Sequence, residues 1–188
     1  MKQIIIAGFG GQGILFAGKV LAYVGMIQGF NVSWLPSYGP ETRGGTSNCS
    51  VIISEKSIGS PLILTPDVLV CMNLPSMEKF ENTLTAKGLM LVNSSLIERK
   101  SSRKDLLVHY VPATALAIEN GLDGLTNMIM IGKLINECAL CDCQTIETAI
   151  RKSVSERKQE MVELNMKAIA IGLNFPTQQT TYHERETI

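Results

Sequence analysis

Two segments carry residue types and spacings that could do chemistry. Residues 8–13, Gly8-Phe9-Gly10-Gly11-Gln12-Gly13, follow the pattern G-x-G-x-x-G. Glycines permit a tight turn, and unpaired main-chain N–H groups at the start of a following helix favour an anion. Gly10, Gly11 and Gly13 would supply main-chain donors to such a ligand and Gln12 an amide. The competing reading is that the glycines only let a helix pack closely on a strand. The second segment, Tyr38-Gly39-Pro40-Glu41-Thr42-Arg43-Gly44-Gly45-Thr46-Ser47, gathers a cation, a carboxylate, adjacent glycines and hydroxyls. Arg43 could clamp a phosphate or carboxylate bidentately, the Gly44-Gly45 backbone could approach a ligand closely, and Thr46 and Ser47 could donate hydroxyls. The competing reading is a hairpin whose Arg43 and Glu41 pair with each other or with a neighbouring subunit.

What the motifs lack narrows the chemistry. A nicotinamide dinucleotide site needs an Asp or Glu at the end of the second strand for the ribose hydroxyls. That strand reads Val32-Ser33-Trp34-Leu35-Pro36-Ser37 and has none. There is no G-x-x-x-x-G-K-[ST], so a nucleotide-hydrolysing P-loop is excluded. Cys138, Cys141 and Cys143 give C-x-x-C-x-C, which is one thiolate short of a closed metal or cluster site unless Cys49 or Cys71 completes it. Free thiols are expected, with Cys49 and Cys71 as small core residues. His109 lies in an alternating stretch that turns it outward or toward an interface, with no nucleophile motif beside it. His183 stands in a polar tail. Asn127, Met128, Met130 and Lys133 read as an N-capped core helix with methionines filling gaps.

The elements that must position these residues are legible from periodicity. Strands are expected at 4–7, 31–35, 48–54, 66–72, 89–93 and 106–111, with Pro36 breaking the second. Helices are expected at 12–28, with Gly29 near its C-cap, and at 76–84, 114–120, 128–138, 145–153 and 156–173. The alternating charges between Arg151 and Glu163 read as one solvated helix face. The strand–helix–strand opening implies a three-layer α/β/α sandwich with a Rossmann-like sheet, mainly parallel and mixed if residues 31–54 form an antiparallel pair, followed by a helical C-terminal part. Residues 1–175 are expected to form one domain, and residues 176–188 a mobile polar tail.

Composition sets the outer bounds. A chain of 188 residues with 45% hydrophobic and only 5% aromatic residues builds a mainly aliphatic core. Lys plus Arg is 17 and Asp plus Glu is 17. This balance leaves no basic footprint for nucleic acid and little repulsion against association with other chains or with itself. No signal peptide or membrane-spanning run is read, and the odd number of cysteines fits reduced thiols in a cytoplasm.

The two motifs together, with Asn48-Cys49-Ser50-Val51 and Ile58-Gly59-Ser60-Pro61 after them, resemble the gamma subunits of 2-oxoacid:ferredoxin oxidoreductases. The resemblance covers about residues 1–175 and is most specific over 5–61. Tyr-Gly-Pro-Glu-x-Arg-Gly-Gly-Thr looks closest to the 2-oxoglutarate branch. Pyruvate-type gamma subunits usually differ after the Arg-Gly, and branched-chain 2-oxoacid and indolepyruvate enzymes remain open. The resemblance implies coenzyme A-dependent oxidative decarboxylation of a 2-oxoacid, with electrons passed to ferredoxin. It places thiamine diphosphate, Mg and iron–sulfur clusters in alpha, beta and ferredoxin-like delta partners. The gamma chain is then inactive alone and contributes to coenzyme A binding and assembly. This chain agrees in lacking a Gly-Asp-Gly…Asn-Asn thiamine signature and a ferredoxin cysteine run. In such subunits the stretch beginning at Asn127 helps shape the cleft near the glycine loop.

Overall fold

The computed structural model describes residues 1–37, 47–155 and 158–177. In chain order these form β1 (Lys2–Gly8), α1 (Ile14–Ile27), β2 (Asn31–Ser37), β3 (Ser47–Ser54), β4 (Val68–Cys71), α2 (Leu74–Phe80), a 3-10 turn (Glu81–Thr83), β5 (Leu89–Asn93), β6 (Leu107–Val111), α3 (Ala113–Glu119), α4 (Thr126–Cys138), α5 (Cys143–Ser153) and α6 (Glu160–Asn174). The strands make one sheet in the order β2-β3-β1-β4-β5-β6. β1, β4, β5 and β6 are mutually parallel, whereas β3 runs antiparallel to both β1 and β2. The expected mixed α/β sheet is therefore present, with β3 as its reversed strand.

The second strand runs through Pro36 rather than stopping before it. Pro36 pairs in register with Cys49. Among the described residues β2 has β3 as its one neighbour in the sheet, and an edge strand can turn a missing N–H outward without losing a ladder bond. The first helix ends as expected: Gly29 has φ +82°, and Phe30 N–H reaches Gly25 C=O at 3.0 Å. Such a left-handed cap favours glycine.

Alternation along the strands divides the core between two faces. Ile4, Ile6, Val51, Val70, Leu91 and Val111 point to the face covered by α1, α3, α4, α5 and α6. Ile5, Ala7, Leu69, Cys71, Met90 and Val92 point to the other, where α2 and the connections lie. Cys49 and Cys71 are fully buried, as small core residues should be. Burial pushes the Cys49 thiol up to about 12. On the first face α4 and α6 cross at Gly132 and Gly172, where a Cβ on either glycine would strike the other helix's backbone.

The connection from β5 to β6 is a loop wound around the buried carboxylate of Glu81. Arg99 pairs with Glu81. Ser101 Oγ and Ser102 N–H both donate to its Oε1, and Arg103 donates to the Glu81 and Leu84 carbonyls. A second buried polar cluster closes the C-terminal side. Lys133, fully buried, donates to Glu137 Oε1 at 2.7 Å, Phe175 C=O at 2.9 Å and Thr177 Oγ1 at 3.0 Å. His109 lies beneath it rather than turning outward, because its strand position faces α4. It is 1% exposed, with Nε2 3.2 Å from Glu137 Oε2.

The charges between Arg151 and Glu163 do not share one helix face, since α5 ends at Ser153 and α6 starts at Glu160. Cys143 opens α5, after Asp142 as its N-cap. Among the described residues no three His, Cys, Asp or Glu converge as a metal would require. No helix there is long and apolar enough to cross a membrane.

Candidate functional site

The glycine loop leaves the carboxyl end of β1 and delivers the chain into α1. Gly11 (φ +90°) and Gly13 (φ +70°) hold left-handed backbone that other residues adopt only under strain. At Gly8 a Cβ would stand 2.8 Å from Met72 Cβ, so the loop passes closely over the end of β4. The first helical bond runs from Ala17 N–H to Gly13 C=O, 3.0 Å. The N–H groups of Ile14, Leu15 and Phe16 therefore have no intrahelical acceptor. Among the described residues no side chain caps them, and the first turn holds no acidic residue. A helix start of this kind favours negative charge.

Gln12 has a different task from the one its position in the motif suggests. Its Oε1 accepts from Phe9 N–H at 2.7 Å, and its Nε2 reaches Met72 C=O at 3.4 Å. The amide braces the loop from within and is not turned toward a ligand. The main-chain groups of Gly10, Gly11 and Gly13 remain at the exposed rim or partly covered.

Of the second motif, Arg43, Gly44, Gly45 and Thr46 lie outside the described residues. Ser47 begins β3, is 8% exposed and pairs with Gly8, while Ser37 pairs with Asn48. Both residues that anchor the Arg43 segment thus stand at the carboxyl end of β1, beside the glycine loop. Ser47 itself is a buried strand residue here, not a loop hydroxyl.

Asn127 is not an N-cap. It is the second residue of α4, and its Nδ2 donates to Gly13 C=O at 3.0 Å. A Cβ on Gly13 would lie 2.5 Å from that nitrogen, so the glycine and the amide require each other. Met128 and Met130 are fully buried in the core, as expected.

Behind the loop lies a cavity of about 350 Å³ enclosed by the starts of α1 and α4, the segment after α5, and α6. Phe16, Leu125, Val154 and Met161 give it apolar walls, and Asn127 and Asn165 add amides. Ser155 and Lys158, both exposed, also line it. Sequence reasoning missed Asn165, Ser155 and Lys158. Asn165 was the readable one: it interrupts the buried stripe Val162, Ala168, Ile169, Gly172 of α6 with a polar side chain 2% exposed. A polar residue on an apolar stripe is the informative exception.

Comparison with known proteins gives these features a lineage. The family described as pyruvate ferredoxin/flavodoxin oxidoreductase matches residues 3–175. The ketoisovalerate oxidoreductase subunit VorA of Methanothermobacter marburgensis is 37% identical over 92% of this chain, which spans 36% of that relative's length. The 2-oxoglutarate synthase subunit KorC of Methanocaldococcus jannaschii is 33% identical, covering 85% of this chain and 87% of its own length. The solved gamma subunit of a keto/oxoacid ferredoxin oxidoreductase from Geobacter sulfurreducens superposes with a TM-score of 0.78 at 27% identity, covering 92% of this chain and 96% of its own. A 2-oxoglutarate:ferredoxin oxidoreductase chain from Magnetococcus marinus shares the fold, with a TM-score of 0.82 at 18% identity, over 94% of this chain and 32% of that one. With its paired motifs and six-stranded mixed sheet, the chain belongs to the pyruvate ferredoxin/flavodoxin oxidoreductase family, as a gamma-type member of the 2-oxoacid:ferredoxin oxidoreductases.

Proposed function

We propose that this chain, with residues 1–175 as its single domain, supports coenzyme A handling in a cytoplasmic 2-oxoacid:ferredoxin oxidoreductase that converts 2-oxoglutarate to succinyl-CoA and CO2. The observation that carries the reading is the Gly8–Ser47 pairing, which brings the uncapped start of α1 and the anchors of the Arg43 segment to one end of the sheet. A polyanion such as coenzyme A suits that place. The main-chain N–H groups of the glycine loop and helix start would meet its phosphates, and Arg43, with Gly44, Gly45 and Thr46, would add charge and close approach.

The chain's own residues bind and orient; they do not break bonds. His109 is buried under α4, remote in role from the loop, and among the described residues no nucleophile–base pair accompanies it. Decarboxylation and electron transfer belong to alpha and beta partners carrying thiamine diphosphate and Mg, and to an iron–sulfur delta partner that passes electrons to ferredoxin. The relatives support a partner-dependent role, since this chain spans about a third of the VorA relatives' length.

Ketoisovalerate is the second substrate reading. It is favoured by the 37% identity to VorA, against 33% to KorC of Methanocaldococcus jannaschii. A purely structural subunit with no ligand is the alternative role.

Co-purification of the tagged chain from its native cells, followed by 2-oxoacid- and coenzyme A-dependent dye reduction, tests the proposal. Activity on 2-oxoglutarate with thiamine- and cluster-bearing partners is expected. Preference for ketoisovalerate would move the substrate. Arg43→Ala complexes that assemble with unchanged coenzyme A kinetics would favour the structural role.

A further inference from the structure

The cavity behind the glycine loop holds a pair of buried amides whose orientation is forced. Asn127 Nδ2 donates to Gly13 C=O at 3.0 Å, and Asn165 Nδ2 donates to Met161 C=O at 2.6 Å. Turning either amide over would set its oxygen against a carbonyl oxygen, so the assignment follows from the neighbours. Both Oδ1 atoms are consequently obligate acceptors. Neither has a partner among the described residues, and the residues are 3% and 2% exposed. An unpaired acceptor held at such depth destabilises the fold unless something donates to it. The two come from different helices, α4 and α6, and line the same cavity of about 350 Å³.

The rest of the cavity wall has a consistent character. Phe16, Leu125, Val154 and Met161 offer apolar and aromatic surface. Among the described residues that line it the one cation, Lys158, belongs to an exposed residue rather than to the buried pair. Neutral acceptors within apolar walls suit a neutral N–H-bearing group, whereas phosphates suit the uncapped helix start outside.

We infer that this cavity is a separate subsite for the uncharged, N–H-donating part of the ligand, read by Asn127 Oδ1 and Asn165 Oδ1. The ligand's identity rests on the coenzyme A reading. That molecule carries such donors in its adenine amino group and in its pantetheine amides, and both are neutral at pH 7. The subsite divides recognition in two: charge is read by the loop, and hydrogen-bond polarity is read behind it.

The test is calorimetric titration of the full chain with coenzyme A, adenosine and pantetheine, comparing wild type with Asn165→Leu and Ser155→Trp. Asn165→Leu removes one acceptor at similar volume. Ser155→Trp fills the cavity from an exposed position, so it tests the site even if the α6 variant misfolds. Both are expected to weaken coenzyme A roughly tenfold or more, the scale of a lost buried hydrogen bond. Whichever of adenosine or pantetheine competes with coenzyme A identifies the donor. Wild-type affinity in folded forms of both variants overturns the subsite and leaves the glycine-loop reading intact. Binding of adenosine or pantetheine that the variants abolish, without coenzyme A binding, keeps the subsite and removes coenzyme A as the ligand. No binding of any of the three to the wild-type chain overturns the inference.

Discussion

Gly132 of α4 and Gly172 of α6 face each other where the helices cross, and each leaves room for the other helix's main chain. A methyl group on Gly172 would meet Ile129 C=O and come within 2.7 Å of Lys133 N. Backbone cannot step aside as a side chain does. Gly172→Ala should therefore cost about 3 kcal/mol, the upper part of the overpacking range. Urea denaturation would show it as a lower midpoint with an unchanged slope.

Glu81 holds the β5–β6 connection through Arg99, Ser101 and Ser102. Its side chain is 3% exposed and that of Arg99 is 38% exposed, so the pair is half screened on one side. Glu81→Ala should destabilise by roughly 2–3 kcal/mol, below the cost of breaking a fully buried pair. Amide exchange in residues 97–105 should rise first, ahead of the strands on either side.

Acid should loosen the clasp around His109. Burial depresses the His109 pKa below 6.5, with Glu137 opposing it and Lys133 adding to it. The unfolded imidazole binds its proton more readily than the folded one, so stability is lost as pH falls from about 6.5 through the folded value. Burial raises the Glu137 pKa, yet hydrogen bonds from Lys133 and Thr177 outweigh it and leave the net value below 4.5. Its contribution is present above that value and lost below it, so both groups act in the same direction. Melting temperature should fall in two stages, the first as pH drops below about 6.5 and the second as it drops below about 4.5. His109→Leu should flatten the upper stage and leave the lower one.

Gly13→Ala should separate ligand binding from folding. The residue would be forced to φ +70° with its Cβ 2.5 Å from Asn127 Nδ2. A left-handed alanine costs about 1–2 kcal/mol, which the core can tolerate. Displacing Asn127 also shifts the loop, so coenzyme A affinity should fall by more than about tenfold. Calorimetry beside a thermal melt would show whether the two losses separate in this way.

The sheet, its mixed direction and the glycine loop were legible because burial and turn chemistry act locally. Ile4–Ile6 and the glycines after them announce a buried strand and a turn whatever surrounds them. The failures share a different cause. Pro36 stays in β2 because that strand is an edge, a fact of topology that local sequence does not carry. His109 turns inward because α4, distant in sequence, brings Glu137 and Lys133 over it. Asn127 serves Gly13, not its own helix, across a separation of 114 residues. Each is a tertiary pairing with no local signature. Asn165 differs in kind, since its place on an apolar stripe was visible and the unpaired state of its Oδ1 among the described residues was not.

The reversed strand β3 has a consequence for how such proteins can diversify. Cys49, Val51 and Ile53 all face the helical layer, and a slip of one residue would turn them to the other side. Burial thus locks the register of β2 and β3 where they pair, independently of how many residues join them. The sequence between Ser37 and Ser47 can lengthen, shorten or exchange residues while Gly8 and Ser47 stay paired. Novelty in what this end of the molecule grips can accumulate there by small steps, with the inherited framework untouched.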